Sequence, residues 1–307
     1  MKDLRFGLCC IFRAAPIKFK TTTARILSAL TKEQQLQKVS KICLHNVESL
    51  LLSLEYADCL SIGAFRILSP IFPRFTHPDV GYTLKELPDG KTIRKRLADI
   101  KSFKEERDIR LSFHPDQFIV LSSPKPQVVK SARRELNYQA MVAKAVGADV
   151  INVHLGGAYG DKTAAMKRFA KVFRSLRKDV RQRLTLENDD RTYTVKDLYA
   201  LCMEEGIPLV YDVHHHRCLP DGLSVEQATK LAVETWQQVN REPYFHISSP
   251  KNGWATEVDN RPHADFIEAT DFPSEWLNLA ATVDVEAKAK ELAVVNLMSD
   301  LKKLIKS

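Results

Sequence analysis

Imidazole and carboxylate side chains recur along this chain at the ends of short apolar runs, a pattern whose natural chemistry is metal coordination. His114 closes RLSFH, His154 closes VINVH, Glu187 closes LTLE, and Asp212 closes PLVYD with His215 three residues on. His246 sits in YFHIS and Glu286 follows ATVDV, while RFGLC and LSIGAFR begin the series without a ligand. An unpaired polar group costs roughly 2–7 kcal/mol to bury, so its repeated placement at the ends of core-type segments asks for a common partner. Imidazole with carboxylate suits Zn²⁺, Mn²⁺ or Fe²⁺ better than Ca²⁺. The donors outnumber the sites of one ion, so about two or three divalent ions are expected, with Glu187 central enough to bridge a pair. Paired metals of this kind clamp the attacking and leaving oxygens of a phosphodiester.

The stretch DVHHHRC places Asp212 and His215 where both reach one rim, with His214 and His216 as supporting partners. A surface histidine cluster is the plain alternative. Hydrogen-bonded core imidazoles would be the default for His114 and His154, but their shared position at run ends favours ligation. His263 in RPHADF has Asp265 two residues away as an orienting carboxylate, and is equally readable as a loop histidine. His45 and His77 lack the context of a run end.

Residues so far apart in sequence meet only if the fold gathers strand ends. Between the apolar runs lie segments with residues of one face three or four apart: 31–57, 91–108, 124–148, 161–183, 194–207 and 224–239. Strands alternating with helices imply right-handed βαβ units and a parallel sheet. A TIM (β/α)8 barrel forming a single domain over 1–307 is expected, because functional residues stand at nearly every strand end; a doubly wound sheet would concentrate them at one switch point. Neither GxGxxG nor GxxxxGK[ST] occurs. Residues 68–90 hold four of the fourteen prolines and read as a long loop on the active face.

Apolar residues make up 44% and charged ones 27% of the 307, which excludes a disordered chain. No apolar stretch is long enough for a membrane span, no signal-peptide pattern opens the chain, and the six cysteines form no CxxC pair. A cytoplasmic protein with reduced thiols and no membrane partner is expected. The net charge of +8 favours a polyanionic partner, nucleic acid first. Nine Lys or Arg against one acid fall within 162–183, but Met166, Phe169, Phe173, Leu176 and Val180 form an inward stripe there. That segment reads as a solvated outer barrel face rather than a DNA track.

Together, RFGLC, HNVESL, GAFRILSPIFP, FHPDQF, VINVHLGGAYGDK, LTLENDD, YDVHHH, FHISSPK, HADF and VEAKAKE resemble the ultraviolet damage endonucleases, DNA repair enzymes on a TIM barrel related to endonuclease IV. The resemblance runs in order from residue 4 to about 291. It implies metal ligation by His114, His154, Glu187, Asp212, His215, His246, His263 and Glu286, with His114, His154 and Glu187 central to catalysis. It also implies manganese as the usual ion and nicking of duplex DNA 5′ to ultraviolet photoproducts, both cyclobutane dimers and 6-4 photoproducts. The products would be a 3′-hydroxyl and a 5′-phosphate, formed without a protein nucleophile by an enzyme that works as a monomer. An abasic-site endonuclease of the endonuclease IV type is the alternative within the class, and a sugar isomerase or epimerase on a related metal barrel the alternative outside it.

Gln117 and Phe118 match the pair with which relatives probe the duplex at the lesion, Phe standing where Tyr is frequent. An amide with an aromatic ring suits a wedge that replaces lost stacking. Leu8 stands where some relatives place a Tyr near the lesion. Asn46, Arg66 and Ser69 match the HN and FRxxS patterns and are candidates for phosphates or supporting waters, Arg66 equally for a structural salt bridge. Lys162 and Lys251 are candidate phosphate contacts. Tyr244, supporting His246, replaces a Lys of the relatives that lies near the metals, so the third ion is expected to be held differently or more weakly here.

Overall fold

The structure, a computed structural model, describes residues 3–254 and 259–305. Eight parallel strands close a barrel in sequence order: β1 (Leu4–Cys9), β2 (Ala64–Ile67), β3 (Arg110–Phe113), β4 (Val150–His154), β5 (Leu184–Glu187), β6 (Leu209–Asp212), β7 (Tyr244–Ile247) and β8 (Ala281–Val285). Closure is made by β1 on β8, with Gly7 beside Asp284. All but one or two residues of these strands are buried, as helices outside and side chains inside require. The barrel expected from the sequence is therefore the one found.

The outer layer comprises α1 (Ala24–Ser28), α2 (Lys32–Cys59), α3 (Gly90–Glu106), α4 (Pro126–Val146), α5 (Lys162–Arg174), α6 (Lys178–Arg181), α7 (Val195–Glu205), α8 (Val213–Cys218), α9 (Val225–Gln237) and α10 (Glu291–Leu304). Local sequence sets their ends. Capping boxes at Thr31 with Gln34, Thr194 with Asp197, and Ser224 with Gln227 start α2, α7 and α9 by satisfying orphan backbone donors. Gly147 and Gly206, at φ 75° and 64°, end α4 and α7 in the left-handed conformation.

One helix expectation fails. The stretch 161–183 is not continuous: α5 stops at Arg174, where the Ser175 hydroxyl donates back to the Val172 carbonyl oxygen, and α6 restarts at Lys178. The charges of this stretch are largely held locally. Arg174 pairs with Glu204 and Glu205, Arg177 with Asp179, and Arg168 donates to the Ser122 carbonyl oxygen, as suits a solvated face. The proline-rich stretch 68–90 does form a long connection, but a packed one. Its Phe75 ring lies 4.9 Å from that of Tyr138 on α4, and Tyr138 accepts from Phe72 N and donates to the Ser69 carbonyl oxygen. This strap fixes the loop after β2 against the next helix.

The barrel interior is polar toward its C-terminal end. Gly7 is required there: a Cβ at that point would meet Asp284 Oδ1 at 2.0 Å, so glycine makes room for the carboxylate. Asp284 accepts from the Tyr244 hydroxyl at 2.8 Å and from Arg66 Nε at 2.9 Å. With its proton on Asp284, the Tyr244 oxygen accepts from the Ser112 hydroxyl at 2.9 Å. Thr185 donates to Asn152 Oδ1, and the Asn152 amide donates to Glu187 Oε2. These ladders rise to the rim.

Candidate metal centre

Glu187, the last residue of β5, occupies the middle of the rim and is almost wholly buried. Its two oxygens face different histidines. Oε2 lies 3.0 Å from His114 Nε2 and 3.9 Å from His154 Nε2; Oε1 lies 3.1 Å from His246 Nδ1 and 3.3 Å from His215 Nδ1. His154 and Glu187 end β4 and β5, His114 follows β3, His246 lies one residue from the end of β7 and His215 sits on α8 just past β6; they meet because parallel strands of one barrel finish on one face. His114 Nδ1 lies 3.2 Å from the Pro115 carbonyl oxygen, which leaves Nε2 to point at Glu187. Ser69 donates to the His114 carbonyl oxygen at 2.9 Å, so it positions a ligand rather than meeting a phosphate.

Asp212 caps the short helix α8. Its Oδ1 accepts from His215 N at 2.8 Å, while its backbone is exchanged with the Asn188 side chain through bonds of 2.9 Å in each direction. Its Oδ2 is left 3.7 Å from His215 Nδ1 and 4.0 Å from His246 Nδ1. On the far side, Glu286 Oε1 lies 3.4 Å from His246 Nδ1 and Oε2 lies 3.9 Å from His263 Nδ1. Arg66 closes this edge: Nη1 lies 2.6 Å from Glu286 and Nη2 lies 2.8 Å from His246 Nε2. Of its two readings, Arg66 takes the structural salt bridge.

The residues fit a polynuclear cation site. Donor atoms of His114, Glu187 and His246 lie within 4.8 Å of one another, and so do those of Glu187, Asp212 and His215. Asp212 Oδ2, His154 Nδ1 and His246 Nδ1 are buried without a hydrogen bond, the state of lone pairs kept for a ligand. Electrostatics agree. Burial alone would raise the Glu187 carboxyl, yet the imidazoles of His246 and His154, with hydrogen bonds from His114 and His215, hold it well below the usual carboxylate range. Burial opposes charge on His215, but Asp212 and Glu187 prevail and raise it well above an ordinary imidazole; His246 is raised by Glu187 in the same way. His154 goes down, because burial outweighs Glu187. Burial would also raise Glu286, but Arg66 and His246 depress it.

Other expected residues divide. Gln117 and Phe118 stand on an exposed turn beside His114, in which Phe118 N donates to Asp116 Oδ1; the Phe118 ring is 75% exposed. His214 is buried, its ring 5.2 Å from that of His263, and its Nε2 lies 3.2 Å from the Arg261 carbonyl oxygen, so it packs behind His263. Tyr244 supports the rim from below through Asp284 and Arg66.

Five expectations are corrected. Leu8 is fully buried: strand alternation sends Gly7 inward and Leu8 out under the helices, away from any lesion. Asn46 is sealed inside, pinning the backbone of Lys20 and Ile71, and cannot hold a phosphate. His216 turns from the site to accept from the Tyr211 hydroxyl and lie 3.2 Å from Asp221. Asp265 is exposed, and the Ser248 hydroxyl, 3.1 Å from His263 Nδ1, is what orients that ring. Lys162 is committed to Asp197 at 2.8 Å. Lys251 is exposed on the loop after β7, its backbone bonded to the Pro262 carbonyl oxygen.

Sequence reasoning missed Asp284, Asn152, Asn188 and Ser248, the groups that aim the ligands; polar residues inside otherwise apolar runs were the available signal. It also missed two exposed rim aromatics. Tyr159, at φ 52° within GGAYGDK, has Arg168 over its ring at 5.7 Å. Trp254 is held by Asp271 and lies beside His214.

Comparison with known proteins agrees with this geometry. The profile of the family described as UV-endonuclease UvdE matches residues 4–306. The UV DNA damage endonuclease of Bacillus velezensis is 33% identical over 97% of this chain and 93% of its own length, and that of Bacillus mycoides 32% over 97% and 94%. The crystal structure of SacUVDE superposes with a TM-score of 0.84 at 30% identity, covering 99% of this chain and all of that one. Endonuclease IV from Thermus thermophilus, at TM-score 0.60 and 14% identity over 97% and 99% of the two chains, shares the fold. The chain belongs to the UV damage endonuclease family, phosphodiester-cleaving hydrolases that act on DNA in repair.

Proposed function

We propose that this enzyme is divalent-metal-dependent and nicks duplex DNA 5′ to ultraviolet photoproducts, leaving a 3′-hydroxyl and a 5′-phosphate. The observation that carries the reading is the division of Glu187: one oxygen faces His114 and His154, the other His215 and His246. A carboxylate so placed would serve as a ligand to more than one cation. Glu187, His114 and His154 form the catalytic core; Asp212, His215, His246, His263 and Glu286 complete the ligand set. When bound, the ions, of which Mn²⁺ suits this mixed donor set, stabilise charge on the phosphoryl oxygens and activate water near neutral pH.

The chain's own groups do the positioning. Asn152 holds Glu187 from below, and Arg66 keeps Glu286 ionised beside His246. Gln117 and Phe118, exposed at the edge of the centre, fill the gap left when damaged nucleotides leave the stack. The groove on one rim serves a monomer of one domain over 1–307. An ion held by His263 and Glu286 would be bound more weakly than those held around Glu187, since Arg66 competes for Glu286 and Tyr244 is engaged with Asp284 and Ser112. Elemental analysis is expected to return two tightly held ions per chain and one easily lost; three equally tight ions would contradict this.

The deciding experiment maps incision on duplexes carrying one cyclobutane dimer, one 6-4 photoproduct or one abasic site, with Mn²⁺ present. A nick immediately 5′ to both photoproducts, stronger than any at the abasic site, is expected. Incision confined to the abasic site would overturn the lesion assignment.

A further inference from the structure

The rim opens on one side into a cavity of about 460 Å³ between the ends of β1 and β8, lined among others by Cys10, Arg66, His263, Glu286, Lys288 and Lys290. Two of these residues hold backbone angles that side-chain-bearing residues rarely adopt: Cys10 at φ 70°, and Lys290 at φ 56° and ψ −126°. Such strain persists where the surrounding structure enforces it, commonly at ligand sites. Lys290 is also the N-cap of α10, makes no capping bond there, and puts a positive charge at the positive end of the helix dipole. Neither helix stability nor backbone preference accounts for a lysine at this point.

Other cations nearby are employed, apart from Lys288, an exposed residue of the same cavity that likewise has no acidic partner among the described residues. Arg66 is held by Asp284 and Glu286, Lys162 by Asp197, and Arg217 by Asp271. Glu291, next to Lys290, turns its carboxylate to Arg13 N and Ala14 N. Among the described residues, the Lys290 ammonium has no acidic partner, although it lines the same cavity as two candidate metal ligands. A free cation beside a phosphodiester-cleaving centre has one evident counterpart.

We infer that Lys290 contacts the substrate: its ammonium binds a backbone phosphate of the DNA strand that crosses the cavity beside Glu286 and His263. The inference rests on the endonuclease reading. Point-charge contact with phosphate fixes the strand's register without reading sequence or lesion.

Lys290→Gly tests it well, because glycine accepts a positive φ and the variant should fold at least as stably. Lys290→Arg restores the charge, and Lys171→Gln, on the outer face of α5, is the control. Binding of irradiated duplex by metal-free protein is followed against salt, and KM and kcat are measured with Mn²⁺. For Lys290→Gly, binding should weaken roughly tenfold and the log–log salt slope should fall by about one, one phosphate contact being lost. KM should rise more than kcat falls, the thermal midpoint should not drop, and Lys290→Arg should recover most of the affinity. A Lys290→Gly protein with the salt slope and KM of Lys171→Gln would overturn the assignment. If wild type itself fails to nick irradiated DNA, the endonuclease reading falls instead, and an unchanged salt slope would still sink the contact.

Discussion

The two ends of the barrel treat buried charge in opposite ways. At the N-terminal end, Arg110 lies 2.8 Å from Asp149 and 3.5 Å from Glu242, Arg5 lies 3.2 Å from Glu242, and Arg241 lies 3.4 Å from Asp149. The Arg110 guanidinium also stacks over Trp236 and Tyr244, and Arg241 over Trp236. Burial would raise the Asp149 carboxyl, but Arg110 and Arg241 hold it down. Each acid there has a guanidinium. At the C-terminal end, acids meet mainly imidazoles, and Asp212 Oδ2, His154 Nδ1 and His246 Nδ1 remain unbonded. One end spends its charge on the fold; the other keeps lone pairs in hand for a ligand. A TIM barrel divides its labour this way, with stability at the bottom and chemistry at the top.

Exchanging the two kinds of charge for neutral groups should therefore have opposite consequences. Glu187→Gln keeps the shape but removes the shared carboxylate, so kcat/KM on irradiated duplex should fall by about 10³-fold or more, ~4 kcal/mol of lost transition-state stabilisation. Its metal content should fall too, while the thermal midpoint of the metal-free protein moves little; wild-type metal content with wild-type activity would erase the contrast. Arg110→Ala should do the reverse. Denaturant unfolding should show a loss of about 3 kcal/mol, since Asp149 and Glu242 lose their buried partner, while incision per folded molecule stays unchanged. Equal losses of activity and stability would mean that the ends are not separable.

Phe118→Ala probes the rim beyond its ligands. Equilibrium binding of irradiated duplex should weaken by about 1–3 kcal/mol with little effect on intact duplex, because one stacking surface is lost. Uniform weakening on both would reduce Phe118 to a general contact. The smallest effect concerns pH. In the metal-free protein His215 and His246 have raised folded values, so their stabilisation is complete below the unfolded imidazole value of about 6.5 and is lost as pH rises through the folded values. Glu187, whose folded value is depressed, contributes on the other side: its share is present above the unfolded carboxylate value of about 4.3 and fades in acid. Thermal midpoints should decline slightly on the alkaline side while Mn²⁺ affinity rises, because metals need neutral imidazoles. Affinity that is flat with pH would place the ions elsewhere.

Much of the C-terminal end was legible in the sequence, because ligands at strand ends break the apolar pattern in a regular way. His114, His154, Glu187, Asp212, His215, His246 and Glu286 stand together as expected, with His263 at the edge. What failed was direction rather than position. Spacing placed Leu8 and His216 near the rim, but strand alternation and the short turn of α8 decide which way each points. Asn46 is polar inside a helix, and only packing reveals that its amide staples two loops. Asp284 was invisible for the opposite reason: its carboxylate is accommodated by Gly7, a neighbour across the barrel seam that lies far away in the chain. The paired charges of the N-terminal end carry no sequence signature either, since Arg110, Asp149 and Glu242 look like ordinary loop-edge residues.

The proposed dependence of the C-terminal end on bound cations is tested most directly by strand incision on a duplex with one photoproduct, using protein stripped by a chelator and then supplied with Mn²⁺. Stripped protein should bind the duplex without cutting it, and added Mn²⁺ should restore a single nick 5′ to the lesion in wild type but not in Glu187→Gln. Cutting by the stripped protein at the rate of the replenished one would contradict the assignment of these histidines and carboxylates to metal.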